Sequence, residues 1–380
     1  MVQGPGAMEG LGMNWTGIRV LVTGHTGFKG SWLTLWLQQL GAVLCGIALE
    51  PPPSVSLFQD ANVASGMRST IGDIRDIDLL RQTFLEHKPE VVFHLAAQPL
   101  VRSSYDDPLT TYSTNVMGTA NVLEAARQTP GVRAIVVVTT DKCYENREWN
   151  WPYRETDQLG GYDPYSSSKA CAELLVSAYR NSFFNPLEYS RHGVALASVR
   201  AGNVIGGGDW AEARLVPDII RAFLQKRPVI IRNPHSVRPW QHVLEPLRGY
   251  IALAESLCEA GTANGEAWNF GPEQSDAQPV EWIVRELANV WGEDARWELE
   301  ETPQPHEAHN LKLDWSKAEA RLGWRPALRL KDALAMTADW YQAKLHGQNM
   351  HQFTMQQIRK YAEQVQVGTT TQANLSGVEA

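Results

Sequence analysis

The sequence predicts an α/β fold in which a doubly wound parallel sheet forms one lobe and a smaller C-terminal lobe binds a second ligand. Three observations predict it. Short apolar runs alternate with helix-length amphipathic stretches from about residue 17 to about residue 200, a pattern typical of parallel strands joined by crossover helices. A glycine-rich turn follows the first run. Beyond about residue 200 the alternation loosens, which indicates a second lobe.

The apolar runs are continuous rather than alternating, so both faces of each strand are expected to be covered. They predict strands at 18–23, 43–49, 68–71, 91–95, 134–139 and 194–199. The stretches between them predict helices at about 30–40, 76–87, 108–128 and 165–190. Later segments predict helices at about 215–226, 243–258, 279–292 and 330–345, with a strand near 229–232.

These elements divide the chain into a nucleotide-binding part and a substrate-binding part. Residues 1–15 are expected to form a disordered leader and 16–200 the nucleotide-binding domain. Residues 206–345 form the interleaved second lobe, from which segments near 200–205 and 235–260 are expected to return to the first. Residues 346–380 are interpreted as a C-terminal helix and a frayed tail.

Composition excludes several classes of protein. The 380 residues carry a net charge of -8 with no long Lys or Arg run, which argues against nucleic-acid binding. The sequence contains no stretch of about 18 apolar residues, so no membrane span is predicted. The four cysteines show no CxxC spacing, so neither a metal site nor a disulfide framework is expected, and a reducing cytoplasm is the simplest location.

The first strand runs into TGHTGFKG, which has the GxxGxxG spacing of a Rossmann-type dinucleotide site. Glycine at a strand-to-helix turn lets backbone N–H groups approach a pyrophosphate at the helix N-terminus. The candidate cofactor-binding residues in this turn are Gly24, Thr26, Gly27, Phe28, Lys29 and Gly30.

The expected cofactor is NAD rather than NADP. Glu50 follows the second strand, where a carboxylate would bond the adenosine ribose and repel a 2′-phosphate, although the three prolines after it leave open whether it reaches the pocket. The chain also contains no Arg between Arg19 and Arg68 that would hold a 2′-phosphate.

Two later strand ends complete the predicted cofactor surface. Asp73, in GDIRD, is placed to accept a hydrogen bond from the adenine amino group, with a helix N-cap as the alternative role. Small residues in HLAAQ let the backbone pass close to a flat ring, although packing alone explains two alanines. The further candidates in these two motifs are Ile74, Ala96, Ala97 and Gln98.

Tyr165 is followed by SSSK, which gives a Tyr-x-x-x-Lys pattern at the start of a predicted helix. This spacing puts the phenol and the ammonium of Lys169 on one face, where the ammonium is expected to lower the pKa of Tyr165 and to bond the nicotinamide ribose, so both residues are also cofactor-binding candidates. Thr140, after the fifth strand, provides a hydroxyl to share the proton.

From TGHTGFKG through TTDKCYE and YSSSK to RAGNVIGGGDW and RPWQHV, the chain resembles the extended short-chain dehydrogenase/reductase family over about residues 17 to 340. Asp141 beside Lys142 resembles the acid and base of the sugar-nucleotide 4,6-dehydratases in that family, and the Asp-Lys pair resembles the members that act on CDP-glucose. The alternative is a solvated loop pair. The resemblance implies bound NAD, CDP-glucose as substrate, and a homodimer or higher homo-oligomer.

The resemblance also assigns further residues. Asn115 in TNVMGT supports the site geometry, and arginines in RAGNVIGGGDW and RPWQHV donate to the substrate diphosphate. His242 and Trp210 are weaker candidates. The expected substrate-binding residues are Arg200, Asn203, Val216, Arg238 and His309.

In the implied reaction, Tyr165 takes the proton of the sugar 4-hydroxyl and Thr140 shares that hydrogen bond. Lys142 removes the carbon 5 proton, and Asp141 protonates the departing 6-hydroxyl. Three alternatives stay open at this point: a GDP-mannose or dTDP-glucose 4,6-dehydratase, a sugar-nucleotide epimerase of the same fold, and a non-catalytic dinucleotide-sensing protein. The intact Tyr165 and Lys169 pair argues against the last.

Overall fold

A parallel sheet of seven strands forms the centre of the protein. The computed structural model describes residues 12–53, 55–231, 233–292, 295–299 and 311–376. Its strands are β1 (Arg19–Thr23), β2 (Val43–Ala48), β3 (Met67–Ile71), β4 (Val91–His94), β5 (Ala134–Val138), β6 (Ala195–Ala201) and β11 (Ala267–Phe270). Their order across the sheet is β11-β6-β5-β4-β1-β2-β3.

The predicted doubly wound α/β fold is therefore confirmed, because every pairing in this sheet is parallel. Strands β1, β4, β5 and β6 are almost wholly buried, as their continuous apolar sequences predict. The order reverses between β1 and β4, and open sheets of this kind bind ligands at the carboxyl ends of the strands at such a reversal.

Helices cover both faces of the sheet. On the first lobe they are α1 (Phe28–Gln39), α2 (Ile77–His87), α3 (Val101–Asp106), α4 (Pro108–Tyr112), α5 (Thr119–Arg127) and α6 (Pro164–Ser182). The predicted helix at 108–128 contains a π-helical turn at Ser113–Gly118. The helix predicted at 165–190 ends at Ser182 and is followed by two short helical turns, Pro186–Glu188 and Tyr189–His192.

The rest of the chain adds short strand pairs and longer helices. The strands are β7 (Val204–Ile205), β8 (Val229–Ile231), β9 (Val237–Pro239), β10 (Gln241–His242), β12 (Ala277–Pro279) and β13 (Trp297–Leu299). The helices are α7 (Leu215–Leu224), α8 (Leu244–Ala260), α9 (Val280–Trp291), α10 (Ser316–Leu322), α11 (Leu330–Leu345) and α12 (Met350–Ser376).

Strand β11 is a correction to the predicted organisation. It lies within the segment assigned to the substrate lobe, yet it pairs with β6 as the edge strand of the central sheet. The boundary between the two lobes stays a prediction.

The predicted disordered leader is wrong at its end. Trp15 is 2% exposed, and its indole N–H donates to Glu255 Oε1 on α8 at 2.7 Å. Burial of an indole contributes a large apolar area, which fixes the chain there. Residues 1–11 and 377–380 of the predicted leader and tail lie outside the described residues, and α12 extends to Ser376 within the segment expected to fray.

No helix in the described part of the chain is both long and apolar enough to cross a membrane.

Candidate active site

The glycine turn after β1 forms a close backbone cradle. Gly24 has φ +77°, and a Cβ atom there would lie 2.8 Å from the Ala96 backbone nitrogen. A Cβ at Gly30 would collide with the Gly24 carbonyl, so α1 packs directly on the turn. Gly27 caps α1 without a side-chain hydrogen bond, which leaves the first N–H groups of that helix for a ligand. The cradle has the shape and donors that a dinucleotide pyrophosphate needs.

Asp73, predicted to contact the adenine, lies two residues beyond β3. Asp76, and not Asp73, caps α2 by accepting hydrogen bonds from two backbone N–H groups. Asp73 instead pairs with Arg75 Nη2 at 2.6 Å, and the hydrogen bond from Arg75 holds the pKa of Asp73 below its ordinary value. The Asp73 carboxylate is therefore a hydrogen-bond acceptor that does not cap a helix. Glu50 is exposed at the end of β2.

Asn115 joins the floor of the cradle to the helix that carries Tyr165. It is 1% exposed and lies in the π-helical turn. Its Oδ1 accepts from Gln98 N at 2.8 Å, and its Nδ2 donates to the Gln98 carbonyl and to Ser168 Oγ at 3.1 and 2.8 Å. The Thr23 hydroxyl accepts from Ala96 N at 3.1 Å. These contacts fit the supporting role predicted for Asn115.

The structure brings all five predicted catalytic residues together at the carboxyl end of β5. Thr140 lies two residues beyond that strand and caps the tight turn Asp141–Cys143. The Thr140 hydroxyl donates to Asp141 Oδ1 at 3.0 Å and also forms a hydrogen bond with the Tyr165 phenol. Asp163 caps α6, so Tyr165 and Lys169 occupy its first two turns.

Asp141 is suited to hold a proton. It is 2% exposed, and burial raises the pKa of its carboxyl above the ordinary value, although Lys142, the Thr140 hydroxyl, Arg238 and Lys29 oppose that rise. Its Oδ2 is buried and has no hydrogen-bond partner in the described part of the chain. A buried carboxyl whose acid form is favoured and whose second oxygen is unpartnered has the character required of a general acid.

The expected effect of Lys169 on Tyr165 is not seen. Burial raises the pKa of Tyr165 to about 12, opposed first by its hydrogen bond to Thr140. The Lys169 ammonium donates to the Val138 carbonyl at 3.1 Å, and burial lowers its pKa to about 8. In this arrangement Lys169 is held by the end of β5, and burial dominates the pKa of the phenol.

Lys29 also reaches this cluster. Its ammonium donates to the Tyr250 hydroxyl at 3.5 Å and lies 5.9 Å from the centre of that ring. Burial lowers its pKa to about 7, assisted by Arg214 and Lys169 and opposed by Asp141. Lys29, predicted to bind the cofactor, therefore also interacts electrostatically with two of the predicted catalytic residues, Asp141 and Lys169.

The structure corrects the role predicted for Arg200. It is 3% exposed, and two of its nitrogens bond the Glu173 carboxylate at 2.9 Å. Its remaining amino group donates to Tyr144 and to the Glu155 carbonyl. Because the guanidinium is enclosed and engaged, Arg200 does not serve as a donor to a substrate diphosphate.

The other predicted substrate residues occupy different places. Arg238 lies on β9, and its charge acts on Asp141, which places it near the cluster. The Asn203 carbonyl accepts from Gln241 N at 3.1 Å, beside the β7–β10 pair. Val216 is 2% exposed in the main apolar core, so it is not a surface contact. His309 lies outside the described residues.

Two weaker candidates prove to be packing residues. Burial lowers the pKa of His242 to about 3, so its ring is neutral, and it packs edge-on against Trp32. Trp210 packs edge-on against Tyr341 with ring centres 5.0 Å apart. Neither contact indicates a role in nucleoside binding.

Sequence reasoning missed Arg214. It pairs with Asp209 at 3.0 Å, and its charge acts on both Tyr165 and Lys29. The sequence signal was an arginine shortly after the glycine loop 206–208, but no motif marks it. Among the described residues no group of His, Cys, Asp and Glu side chains forms a metal site.

Comparisons with known proteins agree with this geometry. The family model described as GDP-mannose 4,6 dehydratase matches residues 21–337. The chain is 56% identical to a CDP-glucose 4,6-dehydratase of Salmonella typhimurium over 347 residues, which is 91% of this chain and 97% of that one. It is 27% identical to a dTDP-glucose 4,6-dehydratase of Xanthomonas campestris over 84% of this chain and 92% of the relative.

Solved structures show the same fold. MoeE5 in complex with UDP-glucose and NAD superposes with a TM-score of 0.72 at 25% identity, covering 86% of this chain and 99% of that one. A dTDP-glucose 4,6-dehydratase of Streptomyces venezuelae, DesIV, superposes with a TM-score of 0.71 at 23% identity, covering 87% and 99%.

Proposed function

The chain belongs to the GDP-mannose 4,6-dehydratase family, and from that premise we propose that it converts CDP-glucose to CDP-4-keto-6-deoxyglucose by eliminating water. The observation that carries this proposal is the buried Asp141 beside Lys142, held by Thr140 next to Tyr165. A plain dehydrogenase needs only Tyr165 and Lys169, whereas elimination also needs an acid at carbon 6 and a base at carbon 5. The 56% identity to a CDP-glucose 4,6-dehydratase supports CDP-glucose as the substrate.

NAD is the proposed cofactor, and the residues present fit it. The backbone cradle at Gly24 and Gly30 leaves no room for a Cβ atom, and the open N-terminus of α1 favours a pyrophosphate. Asp73, Ile74, Ala96, Ala97 and Gln98 border the same groove in the proposal, and Lys169 bonds the nicotinamide ribose. When bound, NAD supplies a hydride acceptor and donor.

Tyr165 and Thr140 act on the sugar 4-hydroxyl. Tyr165 accepts the hydroxyl proton in its phenolate form as carbon 4 becomes a ketone, and the Thr140 hydroxyl is hydrogen-bonded to its phenolic oxygen. The enclosed position of Tyr165, which is 8% exposed, excludes water from this proton transfer. The ketone at carbon 4 then acidifies the hydrogen on carbon 5.

Asp141 and Lys142 carry out the elimination. The buried Asp141 carboxyl keeps its proton and donates it to the 6-hydroxyl, which leaves as water. Lys142 removes the proton from carbon 5. Because the pKa of Asp141 is raised, the acid form persists at higher pH than for an exposed Asp, and turnover falls once the pH exceeds that pKa.

The substrate assignment is tested by incubating the protein with CDP-, UDP-, dTDP- and GDP-glucose and with GDP-mannose in the presence of NAD. Product formation is followed by the alkali-induced absorbance of the 4-keto sugar, and binding by thermal shift. We expect product and the largest stabilisation with CDP-glucose. Product from another nucleotide alone would identify a different dehydratase, and a 4-epimer without a 4-keto product would identify an epimerase.

The cofactor preference gives a prediction of its own. Glu50 lies just beyond β2, and no arginine occurs between Arg19 and Arg68 to hold a 2′-phosphate. We therefore expect NAD to raise the melting temperature more than NADP at equal concentration. The control is Glu50→Gln, which removes the carboxylate charge, and greater stabilisation of the unaltered protein by NADP would contradict the assignment.

We further propose that two copies associate through the helices around α4 and α6. Large apolar side chains are exposed there, which is unusual for a monomer surface. Leu109 is 81%, Met117 57% and Leu174 60% exposed. Light scattering should give twice the chain mass or more, and Leu109→Asp with Leu174→Asp should yield monomers; a monomeric unaltered protein would contradict the proposal.

We place the enzyme in the cytoplasm. All four cysteines are unpaired, and Cys45, Cys143 and Cys258 are buried, as is usual in a reducing compartment.

A further inference from the structure

A second buried charge cluster lies on the same helix face as the catalytic lysine. Glu173 follows Lys169 by four positions on α6, which places the two side chains on one face. Glu173 is 4% exposed and Arg200 3%. The Arg200 guanidinium donates two parallel hydrogen bonds to the carboxylate, Nε to Oε1 and Nη2 to Oε2, each at 2.9 Å. The chemistry proposed above uses neither residue.

Two hydroxyl groups donate further hydrogen bonds to the Glu173 carboxylate. The Thr139 hydroxyl donates to Oε1 at 2.5 Å, and the Ser198 hydroxyl donates to Oε2 at 2.7 Å. Burial alone would raise the pKa of Glu173, but Arg200 and these hydroxyls outweigh burial and hold the pKa below its ordinary value. Glu173 is therefore a permanent negative charge inside the protein.

Arg200 is fixed from its other side. Its Nη1 donates to the Tyr144 hydroxyl at 2.8 Å and to the Glu155 carbonyl at 3.1 Å, and its guanidinium lies 4.9 Å from the centre of the Tyr144 ring. The Tyr144 hydroxyl donates to Asn269 Oδ1 on β11 at 2.8 Å. The ion pair is thus tied to α6, to the end of β5, to β6 and to β11, and it has no freedom to move away from the site.

We propose that Glu173 is a positioning residue: one helical turn from Lys169, its carboxylate provides the buried counter-charge of the Lys169 ammonium, and Arg200 holds that carboxylate in its position. Through Thr139, Glu173 also anchors the strand end that presents Thr140 and Asp141. The role of Lys169 in turnover rests on the function proposed above, whereas the effect of Glu173 on the charge of Lys169 is independent of that function.

The charges around Lys169 support this assignment. Burial lowers the pKa of Lys169 to about 8, and the leading opposing influence is Glu173, followed by Cys143. From the other elements packed around it, Lys29 on α1 and His94 on β4 both have pKa values lowered first by burial and further by the Lys169 charge. Tyr165 and Asp141 face the same cluster. Without Glu173, burial would favour the neutral amine.

The test is Glu173→Gln, which keeps the size and hydrogen-bonding capacity of the side chain and removes its charge. The matched control is Glu245→Gln. Glu245 is 1% exposed and accepts hydrogen bonds from Ala327 N, Leu328 N and Tyr361 instead. Both variants lose a buried carboxylate, so a general loss of stability affects both.

The primary readout is the titration of Lys169 in protein labelled with ¹³C-lysine, where the Lys169 resonance is the one absent from Lys169→Met. In Glu173→Gln we expect its midpoint to fall by about one pH unit or more, and in Glu245→Gln to stay unchanged. Turnover of Glu173→Gln should be close to that of the unaltered protein near pH 6 and roughly fivefold lower near pH 8, because the neutral amine then predominates.

An unchanged Lys169 midpoint in Glu173→Gln would overturn the proposal. If that variant does not fold, the double variant Glu173→Gln with Arg200→Gln removes both charges and avoids an unpaired buried arginine. A smaller downward shift is expected there, because the positive charge of Arg200 is lost together with the carboxylate, and its absence overturns the proposal equally. Failure of the unaltered protein to act on CDP-glucose would refute the proposed function, while the titration would still decide the role of Glu173.

Discussion

Replacing Tyr165 with Phe is expected to lower turnover of CDP-glucose by roughly 10²–10⁴-fold while nucleotide binding stays nearly unchanged. The substitution removes one hydroxyl, which is the group that receives the proton from the sugar 4-hydroxyl. It removes little contact area, because the ring remains buried in its place at the start of α6. Steady-state turnover and thermal shift with the nucleotide separate the two effects.

Tyr162→Phe is the matched control. Tyr162 is three positions away and 90% exposed, so loss of its hydroxyl should leave turnover unchanged. Retention of more than about a tenth of the normal rate in Tyr165→Phe would show that another group initiates the reaction. The Thr140 hydroxyl, which is hydrogen-bonded to the phenol, would be examined next.

The second large effect concerns Asp141 and Lys142, which separate a dehydratase from a dehydrogenase. Asp141→Asn should slow the elimination by roughly 10²–10⁴-fold, because an amide cannot supply the proton with which the 6-hydroxyl leaves. Lys142→Met removes the base at carbon 5, so the 4-keto sugar with its oxygen still on carbon 6 should accumulate together with reduced cofactor. Rapid mixing with detection of the near-ultraviolet absorbance of reduced nicotinamide measures both variants.

Lys142→Arg distinguishes a base from a simple positive charge. Arginine stays protonated in proteins, so it preserves the charge and cannot accept the carbon 5 proton. Normal elimination in Lys142→Met would show that the base lies elsewhere. Lys29 is then the next candidate, because its pKa is lowered to about 7 and its charge acts on Asp141.

The local parts of the site could be predicted because their geometry follows from spacing along the chain. Tyr165 and Lys169 share a helix face, and Thr140, Asp141 and Lys142 follow one buried strand. Parallel strands bring their carboxyl ends to one edge of the sheet, so the two segments meet there. The turn from Gly24 to Gly30 is equally local, and its backbone contacts agree with the motif.

The parts that depend on distant partners could not be predicted. Arg200 has the sequence context of a phosphate ligand, but its charge is taken by Glu173, which lies 27 positions earlier on α6. Trp15 is fixed by Glu255, which is 240 positions away. Strand β11 has only four residues, and its place at the sheet edge is decided by pairing with β6. Arg214 has no motif, and its position follows from Asp209.

The most direct test of the proposed reaction is its product from CDP-glucose made in heavy water. If Lys142 removes the carbon 5 proton and solvent exchanges with it, the product should carry deuterium at carbon 5. Carbon 6 should carry none from solvent, because the hydrogen that arrives there is the one that left carbon 4. Proton and deuterium NMR of the isolated product reads both positions. Deuterium at carbon 6, or a product with carbon 5 unlabelled, would contradict an internal redox cycle with enzyme-catalysed elimination of water.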